Sequence, residues 1–252
     1  MSEPTGPSID RDEVARFERI AATWWDEAGP TRVLHRFNPV RLAYIRDAVC
    51  RHLGRDPASP NPLDGVSLVD VGCGGGVLSE PLARLGARVT GLDPAPTNIR
   101  VARAHSEEAG VPVDYRAETI EAMVAAGERF DVVLAMEVVE HVTDMRAFVA
   151  TAAEAVKPGG LLFAATINRT MRSFALAIVG AEYVLGWLPK GTHDWEKFVT
   201  PDELSRAVEA GGLAVTDLTG VVFNPLTNRW HPARDTAVNY MITAERSAAG
   251  TA

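Results

Sequence analysis

Cysteine is scarce in this chain: Cys50 and Cys73 are the two among 252 residues. Their number and spacing support neither a disulfide framework nor a structural zinc site, and a reduced cytoplasm fits. Positive charge is not in excess either. The 25 basic residues face 33 acidic ones, for a net charge of −8, which argues against non-specific nucleic-acid binding. No apolar run reaches the roughly 20 residues that a bilayer-spanning helix needs. The start, MSEPTGPSIDRDE, lacks a basic segment followed by an apolar one, so no signal peptide is expected. Internal repeats are absent. What remains is an ordinary globular composition, 46% apolar and 23% charged, in a length that suits one large domain with a full core.

What is present is a glycine cluster in an informative place. The run Leu68-Val69-Asp70-Val71 has strand length and composition, and it stops at Gly72-Cys73-Gly74-Gly75-Gly76. Glycine permits a sharp turn and close approach of backbone to a ligand, because it carries no Cβ. A helix is expected from Val77 to Leu85, with its free N–H groups open toward the turn. Asp93 follows 23 residues after Asp70, at the tip of the next predicted strand, 88–92. A carboxylate there can accept hydrogen bonds from both hydroxyls of a ribose. The dinucleotide fingerprint G-x-G-x-x-G/A is missing, since Val77 stands at its last position. A nucleoside without a pyrophosphate is therefore indicated.

Along the chain, Asp10 or Asp12 can cap a first helix through about Asp26, with Val14, Phe17, Ile20, Ala21 and Trp24 on one stripe. A second helix is predicted from Pro39 to Leu53, with Asn38 as a possible cap. Pro57, Pro60 and Pro62 mark a linker. Strand-like runs at 66–71, 88–92, 112–115, 131–135 and 160–166 then alternate with helical patterns. This alternation implies a doubly wound parallel sheet, and runs near 213–222 and 236–245 bring the count to seven. Between the fifth strand and Thr200-Pro201 lies an insertion. It holds Phe174 to Leu188, fifteen residues with one charge, flanked by Arg169, Arg172 and Lys190. It reads either as an interfacial helix, on a membrane or over a channel, or as an ordinary buried helix.

The fourth strand runs into Met136-Glu137-Val138-Val139-Glu140-His141. Strand ends are where ligands bind in such sheets. Glu137, Glu140 and His141 stand at i, i+3 and i+4, so a helical turn would converge them on one side. They then offer an octahedral divalent-metal site, with Mg2+ as the candidate ion. Otherwise the acids bond to backbone N–H groups, and His141 is a general base or supporting group.

The pattern D-x-G-x-G-x-G with a strand-end Asp resembles the class I S-adenosylmethionine-dependent methyltransferases. Further blocks resemble one branch, the ubiquinone-biosynthesis O-methyltransferases. They are Phe17-x-x-Ile20-Ala21-x-x-Trp24-Trp25-Asp26, Leu34 to Ile45, Thr166 to Arg169, Val179 to Tyr183, Pro189 to Trp195, Asn224 to Leu226 and Asp235 to Met241. The resemblance covers about residues 13 to 245. It implies an α/β Rossmann-like fold with a seven-stranded, mostly parallel sheet and helices on both faces. A helical cap would occupy 1–55 and the methyltransferase domain 56–252, with an insertion at about 168–195. The activity implied is methyl transfer from S-adenosylmethionine to a phenolic hydroxyl of a polyprenyl catechol and of a demethylubiquinol.

Arg41, Gly72, Asp93 and Met136 correspond to the family's cofactor contacts, and Asp70, Gly74 and Glu118 join them as candidates. His141 and Glu137 are the catalytic candidates. A metal site in the eukaryotic branch matches Glu137, Glu140 and His141. The tailed substrate implies a cytoplasmic enzyme attached peripherally to the membrane through about 171–190, in company with other enzymes of the pathway, and no nucleic acid. Two other readings stay open: a methyltransferase acting on another small phenol, and a catalytically idle cofactor-binding component of a membrane-associated complex.

Overall fold

The structure, a computed structural model, describes residues 8–29, 31–173 and 195–248. The apolar run Phe174 to Leu188, and with it most of the predicted insertion, lies outside the described residues. Among the described residues, strands β1 (Ser67–Val71), β2 (Arg88–Leu92), β3 (Asp114–Arg116), β4 (Phe130–Met136), β5 (Val156–Ile167), β6 (Ala214–Asn224), β7 (Arg229–Ala233) and β8 (Asn239–Glu245) form one sheet. Its order is β3-β2-β1-β4-β5-β8-β6-β7. The first five pair in parallel, and β8 inserts antiparallel between β5 and β6.

The sheet therefore has eight strands where seven were expected. The addition is β7, which pairs antiparallel with β6 at the sheet's edge. Pro232 lies in it, and a proline cannot donate to a ladder, so the segment suits an edge and gives a weak strand signal.

Alternate residues serve opposite faces, as the period of a strand requires. Val69, Val71, Val133 and Ala135 pack with α5 (Ile120–Ala125), α6 (Met145–Glu154) and α8 (Pro201–Ala210). Leu68, Val132, Leu134 and Met136 pack instead with α2 (Arg32–Leu53) and α3 (Ser79–Arg84). Each such buried aliphatic contributes about 1.5–3 kcal/mol. α4 (Pro96–Ala109) covers Tyr115 and Cys73, and a single turn, α7 (Met171–Ser173), follows β5. Both cysteines are buried and free.

The cap departs from expectation in two places. α1 spans Arg11–Ile20, capped by the Asp10 carboxylate on the N–H groups of Asp12 and Glu13, and a 3-10 turn at Ala21–Thr23 ends it early. α2 begins at Arg32, before the predicted start, and carries Pro39 inside it. Asn38 is consequently no helix cap: it sits within α2 and donates its amide to the Val77 carbonyl at 2.7 Å. That contact ties α2 to the glycine turn.

Candidate active site

Strand order reverses direction at β1 and β4, and ligands of such sheets bind at the carboxyl ends beside this switch point. A cavity of about 1080 Å3 lies there. Its wall includes every candidate site residue: Arg41, Asp70, Gly72, Gly74, Asp93, Glu118, Met136, Glu137, Glu140 and His141.

The β1 end of the cavity is built around two glycines in left-handed backbone. Gly72 has φ of 70° and Gly74 of 54°. A Cβ on Gly72 would lie 2.7 Å from Val138, and one on Gly74 would lie 2.6 Å from the Trp24 ring. Neither position has room for a side chain, and the N–H groups of Gly72 and Cys73 both donate to the Leu92 carbonyl, which ties the turn to β2. Gly74 N–H donates to Asp93 Oδ2 at 3.0 Å, and Ala95 N–H donates to Asp93 Oδ1 at 2.8 Å. Burial raises the Asp93 carboxyl above its ordinary range, against these hydrogen bonds. Asp70 ends β1 nearby and accepts from Ser79 Oγ at 2.6 Å. Burial pushes its pKa up to about 6.

Arg41 reaches this region from α2 and is 5% exposed. It donates to Asn38 Oδ1 at 3.2 Å and lies over the Phe37 ring, while its Nε has no partner. Burial pulls its pKa down, and the charges of Glu137 and Asp70 oppose that. A buried guanidinium with a spare N–H is suited to a carboxylate ligand. Orphaned Arg41 Nε, the glycine turn and the strand-end Asp93 together fit a nucleoside that carries an amino acid.

The β4 end does not form the helical turn that would converge its acids. Residues 137–141 form turns and bends, and Glu137 has φ of 60°, unusual for a residue with a side chain. Glu137 Oε1 and Glu140 Oε2 are buried without a donor. Burial first, and then the neighbouring Glu140 charge, raise the Glu137 carboxyl well above the usual range, with Arg41 opposing. His141 points elsewhere: its Nδ1 lies 3.0 Å from Glu13 Oε2 on α1, and its ring meets Phe17 edge-on. The hydrogen bond to His141 holds Glu13 below its usual carboxylate range. An ionised Glu13 can only accept, so Nδ1 donates to it, and in the neutral imidazole Nε2 is then the acceptor.

Among the described residues, no group of three His, Cys, Asp or Glu side chains is arranged to hold a metal ion. The predicted set of Glu137, Glu140 and His141 is not assembled. The left-handed backbone at Glu137 breaks the i, i+3, i+4 geometry, and Glu13 draws the imidazole away. These residues as arranged do not fit Mg2+.

A methyltransferase-domain family model matches residues 69–164. Over 249 residues the chain is 83% identical to the ubiquinone biosynthesis O-methyltransferase of Methylobacterium sp. (strain 4-46), covering 99% of this chain and 100% of the relative. The chain belongs to the ubiquinone biosynthesis O-methyltransferase family. The enzyme of that name from Sinorhizobium fredii (strain NBRC 101917 / NGR234) is 59% identical, over 98% of this chain and 99% of the relative. The family fold extends to remote structures. Magnesium protoporphyrin IX methyltransferase from Synechocystis PCC 6803 with bound SAH aligns with a TM-score of 0.64 at 19% identity, over 94% of this chain and 100% of that one.

In this ubiquinone biosynthesis O-methyltransferase family member, much of the cavity wall escaped the sequence reading. Phe37, Val221, Phe223 and Trp230 form an apolar chamber, and α1 contributes Glu13, Val14 and Phe17. Ile9 bridges to Val142, and Ser8 bonds to Glu121, strapping α1 across the opening. These contacts span more than a hundred positions in sequence, which no local pattern reports. His35 of α2 places Nε2 2.7 Å from the Trp24 carbonyl.

Proposed function

We propose that the chain transfers a methyl group from S-adenosylmethionine to a phenolic hydroxyl of two intermediates of ubiquinone biosynthesis, a 2-polyprenyl-6-hydroxyphenol and a 3-demethylubiquinol. The observation that carries this reading is the cavity that runs from the glycine turn, past His141, into the aromatic chamber. Bound S-adenosylmethionine supplies a methyl group on a positively charged sulfur, already activated for attack by a nucleophile. The protein has to bind, align and keep water out.

Asp93 accepts the ribose hydroxyls, and Arg41 grips the methionyl carboxylate. Asp70, Gly72, Gly74, Glu118 and Met136 complete the binding set, with Met136 as a soft apolar contact. A phenol near pKa ~10 is mostly neutral at working pH, and its anion is the better nucleophile. His141 takes that proton on Nε2, because Nδ1 is engaged by Glu13. Glu137, kept neutral by burial, donates to the oxygen as negative charge develops. The aromatic chamber holds the ring and the start of the tail. Residues 1–55 act as the cap and 56–252 as the catalytic unit.

The test is methyl transfer from labelled S-adenosylmethionine to a short-tailed catechol. A labelled methyl ether is expected. Cofactor binding without transfer would point to an idle cofactor-binding component, and equal kcat/KM on tailless phenols would point to a soluble substrate.

We further propose that the protein is cytoplasmic and meets the membrane peripherally through about 171–190, near other enzymes of the pathway. The support is the apolar run with basic flanks, and Met171, which is 75% exposed. No described helix is long and apolar enough to cross a membrane. A variant lacking 171–190 that folds yet floats with liposomes as the parent does would remove this reading.

A further inference from the structure

We propose that Trp24 is a positioning residue for Asp93, acting through the side-chain amide of Asn98. The inference rests on Asp93 being the ribose acceptor, and it concerns what holds that carboxylate in place. Trp24 belongs to the cap, just beyond the 3-10 turn, and is 7% exposed. Its indole Nε1–H donates to Asn98 Oδ1 at 2.9 Å, and Asn98 Nδ2 donates to Asp93 Oδ1 at 3.2 Å. Asn98 is 1% exposed, so no solvent competes for either end of its amide.

The chemistry makes the order of this relay one-directional. A primary amide has two ends of nearly the same shape and opposite polarity. An indole N–H can only donate, so it selects the carbonyl end of Asn98. The NH2 end is then delivered to Asp93. Rotating the amide by half a turn would oppose two donors at Trp24 and two acceptors at Asp93.

With Ala95 N–H and Asn98 on Oδ1, and Gly74 N–H on Oδ2, the carboxylate is fixed in plane and keeps capacity on Oδ2 for a ligand. The same indole ring closes over Gly74, the residue that supplies one of those donors. Trp24 is itself held, since its carbonyl meets His35 Nε2 at 2.7 Å and Thr31 Oγ1 at 3.3 Å. A ring serving only as filler needs no N–H there. The buried donor aimed at Asn98 is what marks a positioning role. The consequence is that cap closure and ribose recognition are one event.

The experiment measures the Kd of S-adenosylhomocysteine and of its 2′,3′-dideoxy analogue by calorimetry, on the full chain. Trp24→Phe removes the donor together with the outer indole ring that packs on Gly74, so its reading is paired with Asn98→Ala, which leaves the indole in place. Trp24→Phe should weaken S-adenosylhomocysteine about three- to tenfold, the range of one hydrogen bond, and leave the dideoxy analogue unchanged. Asn98→Ala leaves the Trp24 ring in place and should show the same discrimination, which keeps the test alive if Trp24→Phe folds poorly. The double variant should bind no more weakly than Asn98→Ala alone. Equal weakening of both nucleosides, or additive losses in the double variant, would overturn the proposal. Asp93→Ala controls for the underlying reading: if it fails to distinguish the two nucleosides, the ribose assignment itself falls. If Asp93→Ala distinguishes them and Trp24→Phe does not, the relay alone falls.

Discussion

A carboxylate as deeply buried as Asp70 works against folding. Its folded pKa is pushed up to about 6, from an ordinary value of 3.8. Below about pH 4 both folded and unfolded chains carry the proton, and the group is neutral to stability. Between about pH 4 and 6 the unfolded chain ionises this group while the folded chain holds the proton, so stability falls across that window and the loss is complete once pH has risen through 6. A shift of this size corresponds to about 3 kcal/mol. Asp70→Asn should therefore gain on the parent by up to about 3 kcal/mol between pH 4 and pH 7.5, read by urea unfolding at both values. At His141 the expected effect is on chemistry. His141→Ala should lower kcat about a hundredfold or more, with cofactor Kd within about twofold of the parent, read by single-turnover transfer and calorimetry. Residue types and spacing made Asp70, Asp93 and His141 legible as candidates for the cavity wall, and the family resemblance did so for Arg41. Glu13 and Asn98 were not, because their importance lies in contacts with residues far away in the chain.

At the scale of elements, propensity signals fared best where the chain itself sets the geometry. The strand at 88–92 has the limits read from its sequence, and β1 and β4 lie within a residue of theirs. α2 was read as starting at Pro39 because proline suits a first turn, yet packing of Phe37 against the sheet carries the helix back to Arg32. Whether 137–141 turns helical is left open by the sequence, since a left-handed glutamate gives no sequence signal. α8 offers a clean test. Thr200 and Glu203 form a reciprocal capping box at its start, and Glu203 also pairs with Arg169. Thr200→Ala should cost about 1 kcal/mol, with kcat/KM unchanged, as measured by chemical denaturation and by the transfer assay.

The whole molecule couples its folding to its ligand. Two helical layers sandwich one sheet, and the cavity opens at the edge where β1 and β4 part. A ligand filling that cavity would touch the cap, the glycine turn and the β4 end, so its occupancy should stabilise the chain as a unit. S-adenosylhomocysteine at about a hundredfold its Kd should stabilise by about 2.7 kcal/mol. For a chain of this size that is a rise in Tm of about 5–10 °C, while NAD at the same concentration should give none. The alternation of strands and helices made this architecture readable in outline. The edge strand β7 and the strap of Ser8 and Ile9 had to be seen, because neither is longer or more apolar than an ordinary loop.

Trp24 leaves Gly74 no room for a side chain, and Asn38 of α2 holds the turn by the Val77 carbonyl. Cap and glycine turn are therefore matched surfaces, and they cannot be treated as interchangeable parts. A chimera that grafts a foreign cap onto this catalytic unit would inherit a turn shaped for an absent indole. Redesign of acceptor scope by cap exchange should transplant residues 17–38 and 72–77 together, as one cassette.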